Sequence, residues 1–294
     1  MSSYSDADLL EARLAAPARP GRWLSAAITL LLAAMLVHTL LTNRRFQWSV
    51  VGQYFTSTSV LDGLELTLWL TAATMSAGFV LGVIVAYVRL WGSPIPRSAA
   101  FGFVWLVRSV PVLVQLLFWY ELASLYPKLS FGIPFGPSFG TTDTAHLFSG
   151  ELAAFFTLTL DVAAFSSEIV RGGILAVDRG QSEAAQALGL GRFRTFRRIV
   201  LPQAMPAIVP ASGNLLIGTL KSTSLVSVIA VVDLLYAVQL IYNANFEVIP
   251  LLLVATLWYI ILTTLLSIGQ YYVERYYSRG SRGVELDLKG GDLA

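Results

Sequence analysis

Asp161 and Glu168 are carboxylates set in an apolar stretch, Leu152–Ile174, and they stand seven residues apart. Two turns of helix separate them, so both lie on one face, with Ala164 and Phe165 between. Charge inside such a stretch is costly and marks a cavity, a partner or a pathway. A face of this kind suits a ligand that brings an ammonium group. For Glu168 a structural reading stands beside this one, because Arg171 follows at i+3 and would hold the helix end. Asp161 has no comparable neighbour.

Other polar residues interrupt apolar runs. Gln115 and Tyr120 fall within Phe101–Leu122, where the glutamine amide could serve a zwitterion or bond a neighbouring helix. Asn214, Lys221, Ser222, Thr223 and Ser224 form a polar band within Ile208–Leu235. They would line a pathway or let the backbone break near a cavity, and Lys221 could also answer Asp161 or Glu168 across the bundle. Pro206 and Pro210 predict an irregular entry to this segment.

The elements that position these residues follow from composition. Of 294 residues 55% are apolar and 13% charged, roughly half the ~25% charged share of a soluble domain. The bilayer is the solvent such a chain requires. A hydrocarbon core of ~30 Å takes about 20 residues of helix. Six stretches qualify: Trp23–Leu41, Gly63–Val88, Phe101–Leu122, Leu152–Ile174, Ile208–Leu235 and Val248–Tyr271. The breaks between them, such as "GSPIP" and "FGIPFGPSFG", belong outside lipid or against protein. The first stretch offers no small-residue cleavage site and reads as a retained span. The tail before it, residues 1–22, is expected to be disordered. Gly78 and Gly82 make a GxxxG spacing, which is either a helix-packing face or chance. The aromatic residues Trp258, Tyr259, Tyr271, Tyr272, Tyr276 and Tyr277 read as belt and packing residues.

Arginine placement sets the orientation. Arg171, Arg179, Arg192, Arg194, Arg197 and Arg198 lie between the fourth and fifth stretches, whereas the preceding loop has only Lys128. The arginine-rich segment and both termini are therefore expected in the cytoplasm, with Arg44 and Arg45 against the trend. Net charge is +2, so nothing points to nucleic acid. There is no cysteine, and His38 and His146 lack metal-ligand spacing, so the expectation is no metal and no catalytic residue. "GNLLIGTL" has Thr219 where a phosphate-binding loop needs lysine, and no strand precedes it.

Within the arginine-rich segment, Glu183–Leu188 should be helical, with Gly189 and Gly191 interrupting it. A second short helix, "RFRTFRRIV", places Phe193, Phe196, Ile199 and Val200 on one side and ends at Pro202. A plain reading is an interfacial helix whose arginines meet anionic headgroups. The run Glu183-Ala184-Ala185, then Gly189, Phe196, Ile199, Leu201 and Pro202, resembles the EAA loop of bacterial ABC-importer permeases. "GLELTLWLTAATMSAGFVLGVIVAYVRL", "RSVPVLVQL", "AAFSSEIVRGGI" and "LKSTSLVSVIAVVDLL" also look like permeases for polar amino acids, in the expected order over Gly63–Tyr277.

The resemblance implies an all-α polytopic bundle: a five-helix permease core at 63–277 with its loop at about 175–206. To this the chain adds an N-terminal span and external loop at 23–62, and a cytoplasmic tail at 278–294. It implies a multi-pass protein of the bacterial cytoplasmic membrane, itself no enzyme. Its partners would be membrane lipid, ATP-binding cassette ATPases, an extracytoplasmic amino-acid-binding protein and a second permease, identical or homologous. No cofactor would be bound directly; ATP is used by the ATPase. Glu183, Ala184, Ala185, Gly189, Phe196 and Pro202 would form the coupling element. Asp161, Glu168, Gln115, Phe165, Asn214, Lys221 and Thr223 would line the substrate pathway, for a cationic or zwitterionic rather than acidic cargo. The rival reading is an ion-gradient-driven carrier in which Asp161 and Glu168 relay protons.

Overall fold

The structure, a computed structural model, describes residues 20–133 and 136–277. Most of the expected N-terminal tail (residues 1–19) and the C-terminal tail with Arg279 and Arg282 lie outside them. The chain divides into two units, up to Gln47 and from Trp48 onward. In the first, α1 (Pro20–Thr42) carries an apolar window of mean hydropathy 2.2. Thr29, Thr39 and Thr42 turn their hydroxyls onto carbonyls one turn back, which satisfies them without water.

The second unit is built around a long axle. Helices α2 (Trp48–Tyr54) and α3 (Thr58–Trp91) come first. At 34 residues α3 runs about 51 Å, so it outreaches a hydrocarbon core. Gly92-Ser93-Pro94 stops it, and α4 (Pro94–Ser109) begins on the proline. Next come α5 (Val112–Tyr120), the short α6 (Leu122–Leu125) and an antiparallel hairpin, β1 (Lys128–Gly132) with β2 (Ser138–Asp143). The hairpin occupies the "FGIPFGPSFG" break. After α7 (Thr144–Leu147) comes α8 (Gly150–Leu175), then α9 (Arg179–Ala187) and α10 (Arg192–Thr195). A π-turn (Phe196–Val200) leads into α11 (Leu201–Ser222). A 3-10 segment (Thr223–Ile229), α12 (Leu234–Asn245) and α13 (Val248–Tyr277) complete the order.

α3 takes part in three apolar clusters. Val60 and Leu64 meet α12 and α13, Leu70 meets α5 and α8, and Ala86 meets Val170 and Ile208. The GxxxG spacing is a packing face. A Cβ on Gly78 would come within 2.6 Å of Val162, and one on Gly82 within 2.8 Å of the Ala163 carbonyl. Against Gly82 the α8 residues are small: Ala163, Ser166 and Ser167, all fully buried. In lipid, close backbone approach of this kind replaces the hydrophobic effect as the source of helix association.

Among the described residues five helices are long and apolar enough to span, or six with a bent pair counted as one. Four details depart from the sequence expectation. The stretch Phe101–Leu122 is not one helix: α4 and α5 meet at 102°. Pro111 causes this, since it lacks the amide that would continue the helix and restricts Val110 to extended geometry, φ −104° and ψ 129°. Ile208–Leu235 stops being α-helical at Ser222 and breaks at Ala230, whose φ is +59°. Pro202 does not end a helix but lies in the first turn of α11, where a missing amide costs little. Nor do Pro206 and Pro210 break the entry, for α11 runs through both; the irregularity is the π-turn before them.

Candidate functional site

A cleft of about 340 Å³ opens where α3, α4 and α8 converge, lined by Arg89, Phe101, Val104, Trp105, Arg108, Ser109, Phe165 and Glu168. Glu168 is held on both oxygens. Arg89 reaches Oε1 from α3, while Arg171 donates to Oε2 at 2.7 and 3.0 Å. The structural reading of Glu168 is thus present and is joined by a partner 79 residues away. Arg108 stands 5.1 Å over the Phe165 ring and carries no carboxylate partner among the described residues. Arg89 lies 5.7 Å over Phe101. Two guanidiniums, Arg89 and Arg108, line the cleft beside one carboxylate that Arg171 also neutralises, which leaves the cleft positive, with aromatic walls.

Asp161 does not share this cleft, contrary to the expectation from the helical face. It lies one turn beyond Phe165 on α8, half-buried, with no ion pair among the described residues. Lys221 answers neither carboxylate; it is exposed at the end of α11. Asn214 faces α13, where its Oδ1 accepts from Gln270 at 3.2 Å. Thr223 is buried and donates to the Leu220 carbonyl at 2.7 Å.

Gln115 has a backbone role. Pro111 cannot donate to Val107, four residues earlier, and the Gln115 amide takes its place, donating to Val107 at 2.9 Å and Val110 at 2.8 Å. The side chain holds open the bend that presents Arg108 at the end of α4.

A second polar cluster lies at the break before α12. Asp233, fully buried, caps α12 by accepting from the Tyr236 amide at 2.9 Å. The Tyr259 hydroxyl donates to its other oxygen at 3.5 Å. Thr67 of α3 accepts from the Leu234 amide at 3.0 Å. Trp258 stacks on Phe55 at 4.8 Å and donates to its carbonyl. Trp258 and Tyr259 therefore join elements of the bundle and are more than belt residues.

The arginine-rich segment is a short helix, a tight turn and a helical return. Asp178 caps α9 by accepting from the Gly180 amide. At the other end Gly189 takes φ +77°, its amide bonds the Gln186 carbonyl and that of Leu190 bonds Ala185. This is the Schellman closure, which needs a residue tolerant of positive φ. Ala185 is buried, whereas Glu183 and Ala184 are exposed. Leu188 and Phe193 project on either side of the turn, 82% and 73% exposed. Phe196 points back toward the bundle, its ring 5.7 Å from Trp91 in an edge contact.

Arg89, Arg108, Trp91 and Asp233 escaped the sequence reading. Arg108 gave a signal, a charge inside an apolar stretch. Arg89 and Trp91 sit at the end of one, where such residues are ordinary.

A span-rich bundle with a charged, aromatic-walled cleft and an exposed turned segment at one end is the architecture of a membrane permease. Residues 78–279 match the family of binding-protein-dependent transport system inner membrane components, and the chain belongs to it. It is 41% identical to the arginine transport system permease protein ArgU of Corynebacterium glutamicum, over 89% of this chain and 82% of that one. With the glutamine transport system permease protein GlnP of Escherichia coli it shares 30% identity, over 79% and 97%. Among solved structures, an amino acid ABC transporter crystallised with histidines aligns with a TM-score of 0.63 at 29% identity, over 74% and 94%. The chain is a multi-pass permease of an ABC importer in the inner membrane, a transport component rather than an enzyme. This family assignment disfavours the ion-gradient carrier.

Proposed function

We propose that this permease carries polar amino acids, cationic or zwitterionic, through the cleft between α3, α4 and α8. The observation that carries the reading is Arg108, a guanidinium with no carboxylate partner among the described residues, set over the Phe165 ring in an aromatic-walled cleft. A ligand carboxylate pairs with Arg108, and its apolar stem lies along Phe101, Trp105 and Phe165. Asp161, about 6 Å further along α8, receives the cationic end of a long side chain. Relatives named for arginine and glutamine transport support the same class.

The Glu183–Pro202 segment docks on a cytoplasmic ATPase, with Leu188 and Phe193 as the apolar projections and Glu183 beside them. Two ATPases, a second permease and an extracytoplasmic binding protein complete the transporter. ATP is bound by the ATPases alone.

Uptake by the assembled transporter in vesicles tests the substrate reading with L-arginine, L-glutamine and L-glutamate. Arg108→Gln should raise KM for all three about tenfold, the loss of one charge-assisted hydrogen bond. Asp161→Asn should weaken L-arginine uptake by a similar factor and leave L-glutamine unchanged. Equal effects of Asp161→Asn on all three would refute the assignment of Asp161.

A further inference from the structure

The last turn of α3 touches two things at once. Trp91 meets Phe196 of the π-turn at 5.7 Å, with the rings perpendicular. Two residues earlier Arg89 pairs with Glu168 in the cleft. Residues two apart on a helix point about 200° from each other, so these contacts leave opposite sides of one turn. Tyr87, 5.3 Å from Trp91, braces the indole from its own helix. Beyond Trp91 the helix stops at Gly92, so α4 does not continue the same rod. The π-turn is itself a place where a helix departs from its regular ladder: the Leu201 amide bonds the Phe196 carbonyl, five residues back.

We infer that Trp91 is the positioning residue through which displacement of the Glu183–Pro202 segment reaches the substrate cleft; this rests on the reading of that segment as the ATPase-coupling element. When the segment moves, Phe196 carries the indole with it, and the turn of α3 rolls. Arg89, on the far side, is drawn from Glu168. Glu168 keeps Arg171, so the carboxylate stays paired while the Arg89 guanidinium is freed within the cleft. The position of the coupling segment thereby sets how many guanidiniums face the ligand carboxylate. Packed contacts of this kind have discrete arrangements, which is how a small shift at one end becomes a change of partner at the other.

The test measures L-arginine transported per ATP hydrolysed by the complete transporter in vesicles, with its binding protein. Trp91→Leu should lower that ratio about tenfold, and Trp91→Phe should keep most of it. Phe196→Leu should match Trp91→Leu, and the double variant should fall no further, because both remove one contact. Glu168→Gln, which releases Arg89 by another route, should also be non-additive with Trp91→Leu. Gly189→Val separates this inference from the reading beneath it. A wild-type ratio in Trp91→Leu beside a collapsed ratio in Gly189→Val overturns the role of Trp91 alone. Wild-type ratios in both overturn the coupling reading, and this inference with it. Additive losses in the double variants mark separate structural damage and also overturn it. Should Trp91→Leu fail to assemble, Phe196→Leu with a wild-type ratio is the overturning result.

Discussion

At Pro111 the chain loses the amide that would have served Val107, and Gln115 replaces it from four residues on. The polarity of Gln115 is legible in the sequence; its employment is not, because that depends on the angle at which α5 leaves α4. Gln115→Leu would leave the Val107 and Val110 carbonyls unsatisfied at a cost of about 1–3 kcal/mol each. The purified protein in detergent should unfold several degrees lower, and an unchanged Tm would show that the bend is held by other contacts. Glu168 is the converse case. Its i+3 pairing with Arg171 is readable from spacing, whereas Arg89 arrives from another helix and inverts the charge of the site. Two carboxylates on one helical face suggested a negative cavity. Packing made the cleft positive and left Asp161 beyond its edge.

At the scale of elements, helix positions follow from hydropathy, and their close approaches follow from glycine. Against Gly82 stand the Ala163 carbonyl at 2.8 Å and the Ser167 amide at 3.0 Å, both backbone atoms that cannot turn aside. Gly82→Val should force α3 from α8, at a cost on the order of 3 kcal/mol. Gly102 in α4 has nothing within 4 Å of its would-be Cβ. Gly102→Ala should therefore unfold at the wild-type temperature, while Gly82→Val should yield little monodisperse protein. Equal behaviour of the two would mean that the α3–α8 contact does not hold the bundle. Proline gave a weaker guide. It bent the chain at Pro111, where the residue before it turned extended, and was absorbed at Pro202, Pro206 and Pro210.

For the whole molecule, the arginine bias makes a topological prediction that the chain is well suited to test. With no native cysteine, a single introduced thiol reports unambiguously. Glu183→Cys, exposed on α9, should react with a membrane-impermeant maleimide only in inside-out vesicles. Thr141→Cys, exposed on the hairpin, should react only in right-side-out vesicles. Reversed labelling would place the coupling segment on the wrong side for an ATPase.

Local chemistry is written in the order of residues, and the sequence alone determined what depends on it. That covers the apolar stretches, the turn at Gly189, the side of the membrane expected for the arginines, and the segment that resembles a coupling loop. Only the tertiary structure decided the pairings between residues far apart in the chain. Arg89 with Glu168, Thr67 with Leu234 and Trp91 with Phe196 each join elements separated by other helices, and Tyr259 reaches back to Asp233 at the start of the preceding helix. Charge and aromaticity name the groups that can pair. Which of them meet is set by how small residues let one helix lie against another, and by where a proline or a broken ladder turns the chain.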